Sequence, residues 1–177
     1  MKQPDSYMRK TILVVGAGGQ IGTELVPHLQ SVYGDDHVIA AELRPEVCRA
    51  LSERSRTECL NALDREAYAT IMNKYRPDWV FNLVAVLSAT GEKNPQTAWH
   101  INMGALFNTL ELAREFGCGV FTPSSIGAFG KDTPPNGTPQ DTVMRPNTIY
   151  GVCKVSGELL SDYYHSRFGV DTRSVRF

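Results

Sequence analysis

A chain of 177 residues is long enough to bury one sizeable core and too short for two ordinary domains. With 42% hydrophobic residues, 21% charged residues and a formal net charge of −1, it has the composition of a soluble globular protein. That balance gives no electrostatic case for nucleic acid or an anionic membrane as a partner.

The first ten residues, MKQPDSYMRK, are basic but contain no apolar run, so no secretory signal is expected. No segment is apolar for long enough to span a membrane. Short β-branched runs then alternate with helical patterns. Strands are expected at 11–15, 37–41, 56–60, 79–83, 119–122 and 171–177, and helices near 20–33, 45–54, 65–75, 95–116 and 148–168. This order predicts an α/β fold: a Rossmann-type, doubly wound parallel sheet with helices on both faces, forming one nucleotide-binding domain over 1–177.

The first strand runs into VVGAGGQIG, which sets Gly16, Gly19 and Gly22 three apart where strand turns into helix. Glycine permits the tight turn and a close backbone approach to a pyrophosphate, whose charge is met by free N–H groups where Gln20 and Ile21 open the helix. Glu42 closes the second strand twenty residues beyond Gly22. An acid there accepts hydrogen bonds from both ribose hydroxyls of NAD and repels the phosphate of NADP. Arg44, two residues on, is either a solvated loop charge or a group that would greet that phosphate, and the first reading is the simpler.

After the third strand comes Asn61-Ala-Leu-Asp64. Asn61 either bonds the adenine amino group or forms a turn, and Leu63 is placed to touch the cofactor beside it. After the fourth strand, LVAVLSA offers Leu83 and Ala85 for close contact along the cofactor. Ser88 in the same stretch is read as a substrate contact or as a helix or turn cap.

The helix of 95–116 and the last helix carry apolar residues, among them Ala98, Ile101, Ala105, Leu159 and Tyr163, beyond the need of a single sheet face. Core packing and a subunit interface both account for them. The long irregular stretch from Gly130 to Asn147 holds four prolines and leads into MRPNTIYGVCKVSGE.

There Tyr150 and Lys154 stand at i and i+4 on one helix face. A phenol, with an ordinary pKa of about 10, is a poor base at neutral pH, and a neighbouring ammonium favours its ionised form. Such a pair can take a proton from an alcohol while a hydride leaves for a nicotinamide. Ser125, in PSSIGAFG after the fifth strand, is placed to hold the same hydroxyl.

The four cysteines, Cys48, Cys59, Cys118 and Cys153, include no C-x-x-C pair, which favours reduced thiols used for packing. His28, His37, His100 and His165 are scattered without the carboxylate spacing of a metal site, so no metal is expected.

These residues resemble a known family. GxxGxxG at Gly16, Gly19 and Gly22 with YxxxK at Tyr150 and Lys154 is similar to the extended short-chain dehydrogenase/reductases. The stretches LSATGEKNP, PSSIGAFG and MRPNTIYGVCKVSGELL resemble, within that group, the L-threonine 3-dehydrogenases of short-chain type, from Ile12 to Phe177. The resemblance implies Ser125 as catalytic serine, with Ser124 the weaker candidate, Tyr150 as base with its lysine Lys154, Asn102 as a supporting asparagine and Ser88 near substrate. It implies oxidation of the L-threonine hydroxyl to 2-amino-3-ketobutyrate with NAD as acceptor, and a homodimer paired through the two long helices. A cytoplasmic or mitochondrial-matrix location is expected.

Two departures stand out. Val15 occupies the place of the usual threonine before the first glycine, which leaves the backbone cradle untouched. Phe177 falls inside the sixth expected strand, where relatives continue into a substrate domain, so the chain is expected to be truncated before that domain and inactive alone. Two other readings are a nucleotide-sugar epimerase or dehydratase of the same group, and a non-catalytic NAD-binding fragment that dimerises.

Overall fold

The computed structural model describes residues 10–177. Of the basic stretch read above as lacking a signal, only Lys10 falls within it, and residues 1–9 lie outside the described residues. Strands β1 (Ile12–Val15), β2 (Val38–Glu42), β3 (Arg56–Cys59), β4 (Trp79–Asn82), β5 (Gly119–Phe121) and β6 (Thr172–Arg173) pair in parallel in the order β3-β2-β1-β4-β5-β6. The expected doubly wound α/β sheet is therefore present, with its order reversing between β1 and β4. Open sheets of this kind bind ligands in the crevice at that reversal, beyond the carboxyl ends of the strands.

All four residues of β1 and all five of β2 are buried, as a sheet covered on both faces requires. Ile12 and Val14 pack with Val26 and Leu29 of α1 (Gln20–Tyr33) on one face. Leu13 and Val15 join the opposite core with Met72 of α3 (Arg65–Tyr75) and Leu110 of α5 (Pro95–Phe116).

Caps fix where several helices begin and end. Asp64 accepts from the Ala67 N–H to start α3, and Asn94, followed by Pro95, accepts from Thr97 to start α5. Thr148 accepts from Gly151 to start α6 (Ile149–Phe168). α5 and α6 end at Gly117 and Gly169, both at φ 72, a conformation that glycine adopts without strain.

Three features depart from expectation. A short helix, α4 (Ser88–Gly91), stands beyond the fourth strand, outside the five helices expected. β6 is shorter than 171–177, but its pairing beside β5 continues as single hydrogen bonds, Ser124 N–H to Val175 O and Ile126 N–H to Phe177 O. Of four expected reduced thiols, Cys48 and Cys59 are instead joined as a disulfide, Cα to Cα 5.9 Å apart. α2 (Pro45–Ser52) folds back between β2 and β3 and carries Cys48 to the end of β3, an approach that a sequence separation of 11 does not reveal. Cys118 and Cys153 are free and buried.

Candidate active site

The glycine turn lies at the sheet's reversal. Gly16 has φ 84, and an added Cβ would sit 3.1 Å from the backbone of Leu83 and Val84 on β4's extension. A Cβ on Gly22 would lie 2.4 Å from the Ala17 carbonyl oxygen. Here the close approach of helix to turn, rather than an unusual dihedral, requires glycine. α1 begins at Gly19 with no side-chain cap, so its first N–H groups remain available to an anion.

Glu42 is only 7% exposed, and its carboxylate accepts from the Gly18 N–H at 2.9 Å and from Arg44 Nε at 3.2 Å. Arg44 also donates to the Gly18 carbonyl at 3.3 Å. It is thus neither a free loop charge nor an open phosphate anchor, but a clamp that ties Glu42 to the glycine turn. Asn61 accepts from the Leu63 N–H at 3.1 Å, which is the turn-forming role, and it still lines the groove.

Two cavities run end to end across this crevice. One, of about 440 Å³, is walled by Glu42, Leu43, Arg44, Asn61, Leu63 and Ile101. The other, of about 230 Å³, is walled by Gln20, Ile21, Gly22, Ser125, Tyr150 and Lys154. Gly16, Gly19, Leu83, Val84 and Ala85 line both, so the two form one elongated groove. Its shape and lining fit a dinucleotide: an acid and apolar walls at one end, bare glycine backbone in the middle, and titratable groups at the other.

At that second end, a Cβ on Gly127 would meet the Tyr150 ring at 3.3 Å and the Ser125 Oγ at 3.4 Å, so phenol ring and serine flank one small space. Ser125 Oγ accepts from the Gly127 N–H at 3.1 Å and lines the groove. Ser124 is buried, and its hydroxyl donates to Glu158. Of the two serines, Ser125 is therefore the one with a hydroxyl proton to offer a ligand.

The Lys154 ammonium lies 5.4 Å from the Tyr150 ring centroid and donates to the Pro123 carbonyl at 2.6 Å. Burial pushes its pKa below the ordinary lysine value, outweighing the opposing effect of the Cys153 sulfur. Asn102 accepts from the Val86 N–H at 2.6 Å and donates to the Val86 carbonyl at 3.1 Å, pinning the β4 extension against α5.

Ser88 opens α4 and lines neither cavity. Its segment is nevertheless tied to the site, because Glu92 accepts from the Ile149 N–H at 2.8 Å, one residue before Tyr150. The sequence reading missed Glu92, Glu158 and Phe177, the last of which lines the groove. Glu158 was within reach, since it stands four residues beyond Lys154 on the same helix face.

A parallel sheet of this order with a glycine turn at its reversal and a Tyr–Lys pair at the groove's far end defines a nucleotide-dependent short-chain dehydrogenase/reductase of the extended type. The chain belongs to the NAD dependent epimerase/dehydratase family, whose model matches residues 12–177. NAD is the cofactor of that family. Among curated relatives, an uncharacterized epimerase/dehydratase of Staphylococcus saprophyticus is 52% identical over 95% of this chain and 52% of its own length.

Among solved structures, L-threonine dehydrogenase from Clostridium difficile is 51% identical with a TM-score of 0.91, covering 96% of this chain and 53% of that one. A Cupriavidus necator L-threonine dehydrogenase is 48% identical with a TM-score of 0.88, covering 94% and 54%. A UDP-glucose 4-epimerase from Thermotoga maritima is 25% identical with a TM-score of 0.84, covering 94% and 54%. The chain spans about half the length of these relatives. Among the described residues, no helix is long and apolar enough to cross a membrane.

Proposed function

We propose that this chain is the cofactor-binding and proton-handling part of an NAD-dependent L-threonine 3-dehydrogenase. The observation that carries the reading is the groove that joins the glycine turn and Glu42 at one end to Ser125, Tyr150 and Lys154 at the other. The 51% and 48% identities to L-threonine dehydrogenases support threonine as the alcohol.

NAD, when bound, supplies the acceptor for the hydride that leaves the carbinol carbon, with 2-amino-3-ketobutyrate as product. Gly16, Gly19 and Gly22 with the N–H groups of Gln20 and Ile21 hold the pyrophosphate, Leu83 and Ala85 line its path, and Glu42, Asn61 and Leu63 take the adenosine end. Tyr150 removes the hydroxyl proton, Ser125 donates to the same oxygen, and the Lys154 charge favours the ionised phenol. Ser88 is assigned to the substrate side of α4. In this reading the groups that grip the amino acid's carboxylate and amine belong to the relatives' remaining length. The exposed Trp99, Phe107, Leu159 and Tyr163 of α5 and α6 then meet a second copy.

A nucleotide-sugar epimerase is the second reading, favoured by the fold shared with the Thermotoga enzyme. The two differ in net chemistry. A full-length protein containing this chain, given L-threonine and NAD, should accumulate NADH with a rate that rises with pH. Conversion of a UDP-hexose with no threonine-dependent NADH would replace the first reading by the second.

A further inference from the structure

Lysine and glutamate four residues apart on a helix ordinarily pair. Lys154 and Glu158 do not: the lysine donates to the Pro123 carbonyl at 2.6 Å, and the glutamate is taken by Arg176. Arg176 Nε reaches Glu158 Oε1 at 2.9 Å and Nη2 reaches Oε2 at 2.7 Å, a two-pronged grip with both side chains about 15% exposed. The guanidinium also donates to the Gln140 carbonyl at 3.0 Å and lies 5.3 Å from the Phe129 ring centroid. Glu158 in turn accepts from Ser124, whose neighbour is Ser125. The backbone runs beside it, with Ser124 N–H donating to Val175 O at 2.9 Å.

We propose that Arg176 is a positioning residue for the Ser125, Tyr150 and Lys154 site: it neutralises Glu158, keeping that carboxylate off the Lys154 ammonium, and through Glu158 and Ser124 it fixes the turn that carries Ser125. The inference rests on the proposed use of Tyr150 and Lys154 to handle the proton.

The small cavity behind the groove shows what is at stake. Lys154 and Glu158 are the charged residues lining it, beside the thiol of Cys153 and the amides of Asn82 and Asn102. Outside it, Arg176 faces Glu158, Asp141 lies near enough to Arg176 to act on its charge, and Glu92 sits on the Ile149 N–H. With Arg176 in place, Glu158 is a balanced charge and Lys154 presents its own to the phenol. Without it, a carboxylate with little access to water stands one helical turn from Lys154, where it stabilises the ammonium and opposes the phenolate.

The signs of the effects distinguish this from a role in folding alone. In the 177-residue chain, the Lys154 side-chain methylene can be followed by NMR through a pH titration and assigned by its loss in Lys154→Met. Arg176→Gln should raise the Lys154 midpoint by about half a pH unit or more. Glu158→Gln, which leaves Arg176 unbalanced, should lower it. The double variant Arg176→Gln/Glu158→Gln should return it to the starting value, and Arg176→Lys should leave it in place.

In the full-length protein, the pH at which threonine-driven NADH formation reaches half its plateau should rise in Arg176→Gln and be restored in the double variant. Where Arg176→Gln does not fold, Glu158→Gln decides: a lowered Lys154 midpoint supports the inference and an unmoved one overturns it. A Lys154 midpoint that is unmoved by both single substitutions overturns it. The titration needs no substrate, so it stands or falls independently of threonine turnover.

Discussion

At the glycine end of the groove a ligand meets mostly backbone: the turn at Gly16, the uncapped start of α1, and the extension of β4 at Leu83 to Ala85. At the Tyr150 end it meets the side chains of Ser125, Tyr150 and Lys154, on segments tied together by partners distant in sequence. Lys154 reaches Pro123, Ser124 reaches Glu158, Asn102 reaches Val86 and the Ile149 N–H reaches Glu92. The first end is built to bind and has little room for an added atom. In the proposed function the second places a proton acceptor, and its role lies in individual groups that can be removed with the fold left standing.

Substitutions can break that contrast or sharpen it. The largest effect is expected at the side-chain end. Tyr150→Phe keeps the ring beside Gly127 and removes the base, so threonine-dependent NADH formation in the full-length protein should fall by about 10²- to 10⁴-fold. At the backbone end, Gly22→Ala drives a methyl against the Ala17 carbonyl and should cost about 3 kcal/mol of stability, read by urea unfolding, with NAD binding lost as the turn shifts. Ile21→Ala, one residue away on a side chain 41% exposed, should cost well under that.

Asn102→Ala removes both hydrogen bonds to Val86 and should cost about 2 kcal/mol in the same measurement. Glu42→Ala is expected to be gentler in stability but visible in cofactor choice. It removes the proposed acceptor for ribose hydroxyls and frees Arg44, so calorimetry with NAD and NADP should show the preference for NAD narrowed by roughly tenfold. Tighter binding of NADP by the unchanged protein would contradict the assignment of Glu42.

The smallest effect is with acid. Burial alone would raise the pKa values of Glu58 and Glu158. Lys74 and Tyr75 around the first, and Arg176 and Ser124 around the second, outweigh it and hold both below the ordinary glutamate value of 4.5. Groups with lowered folded pKa values contribute stability that is complete above about pH 4.5 and lost as pH falls through those folded values. The melting temperature should therefore be insensitive to these two groups from pH 7 to 5 and fall by a few degrees below about pH 4.

The parts legible in the sequence are those whose chemistry is local. The glycine spacing, the acid at the end of β2 and the Tyr150–Lys154 ladder each sit within one turn or one helix, and the alternating strands and helices delivered the sheet. What stayed hidden depends on chain segments meeting. Arg44 looked like a loose loop charge although Glu42 stands two residues away, and its reach to the Gly18 carbonyl depends on the first crossover. Ser124 was the weaker alternative to Ser125 in sequence, and its bond to Glu158, 34 residues on, could not be seen there. Glu92 gave no sign of its role because its partner is the backbone of Ile149, 57 residues away. Cys48 and Cys59 read as unrelated thiols until α2 folded one over the other.

The separation of binding from chemistry is tested most directly by titrating NAD into Tyr150→Phe by calorimetry. In the proposed function the phenol oxygen belongs to the proton-handling end and the pyrophosphate and adenosine contacts to the glycine turn and Glu42, so the affinity should stay within about threefold of the unchanged protein, less than the 1.4 kcal/mol of a tenfold change. A hundredfold loss of NAD affinity in that variant would show that Tyr150 is a principal anchor of the cofactor and that the two ends of the groove are not built for separate tasks.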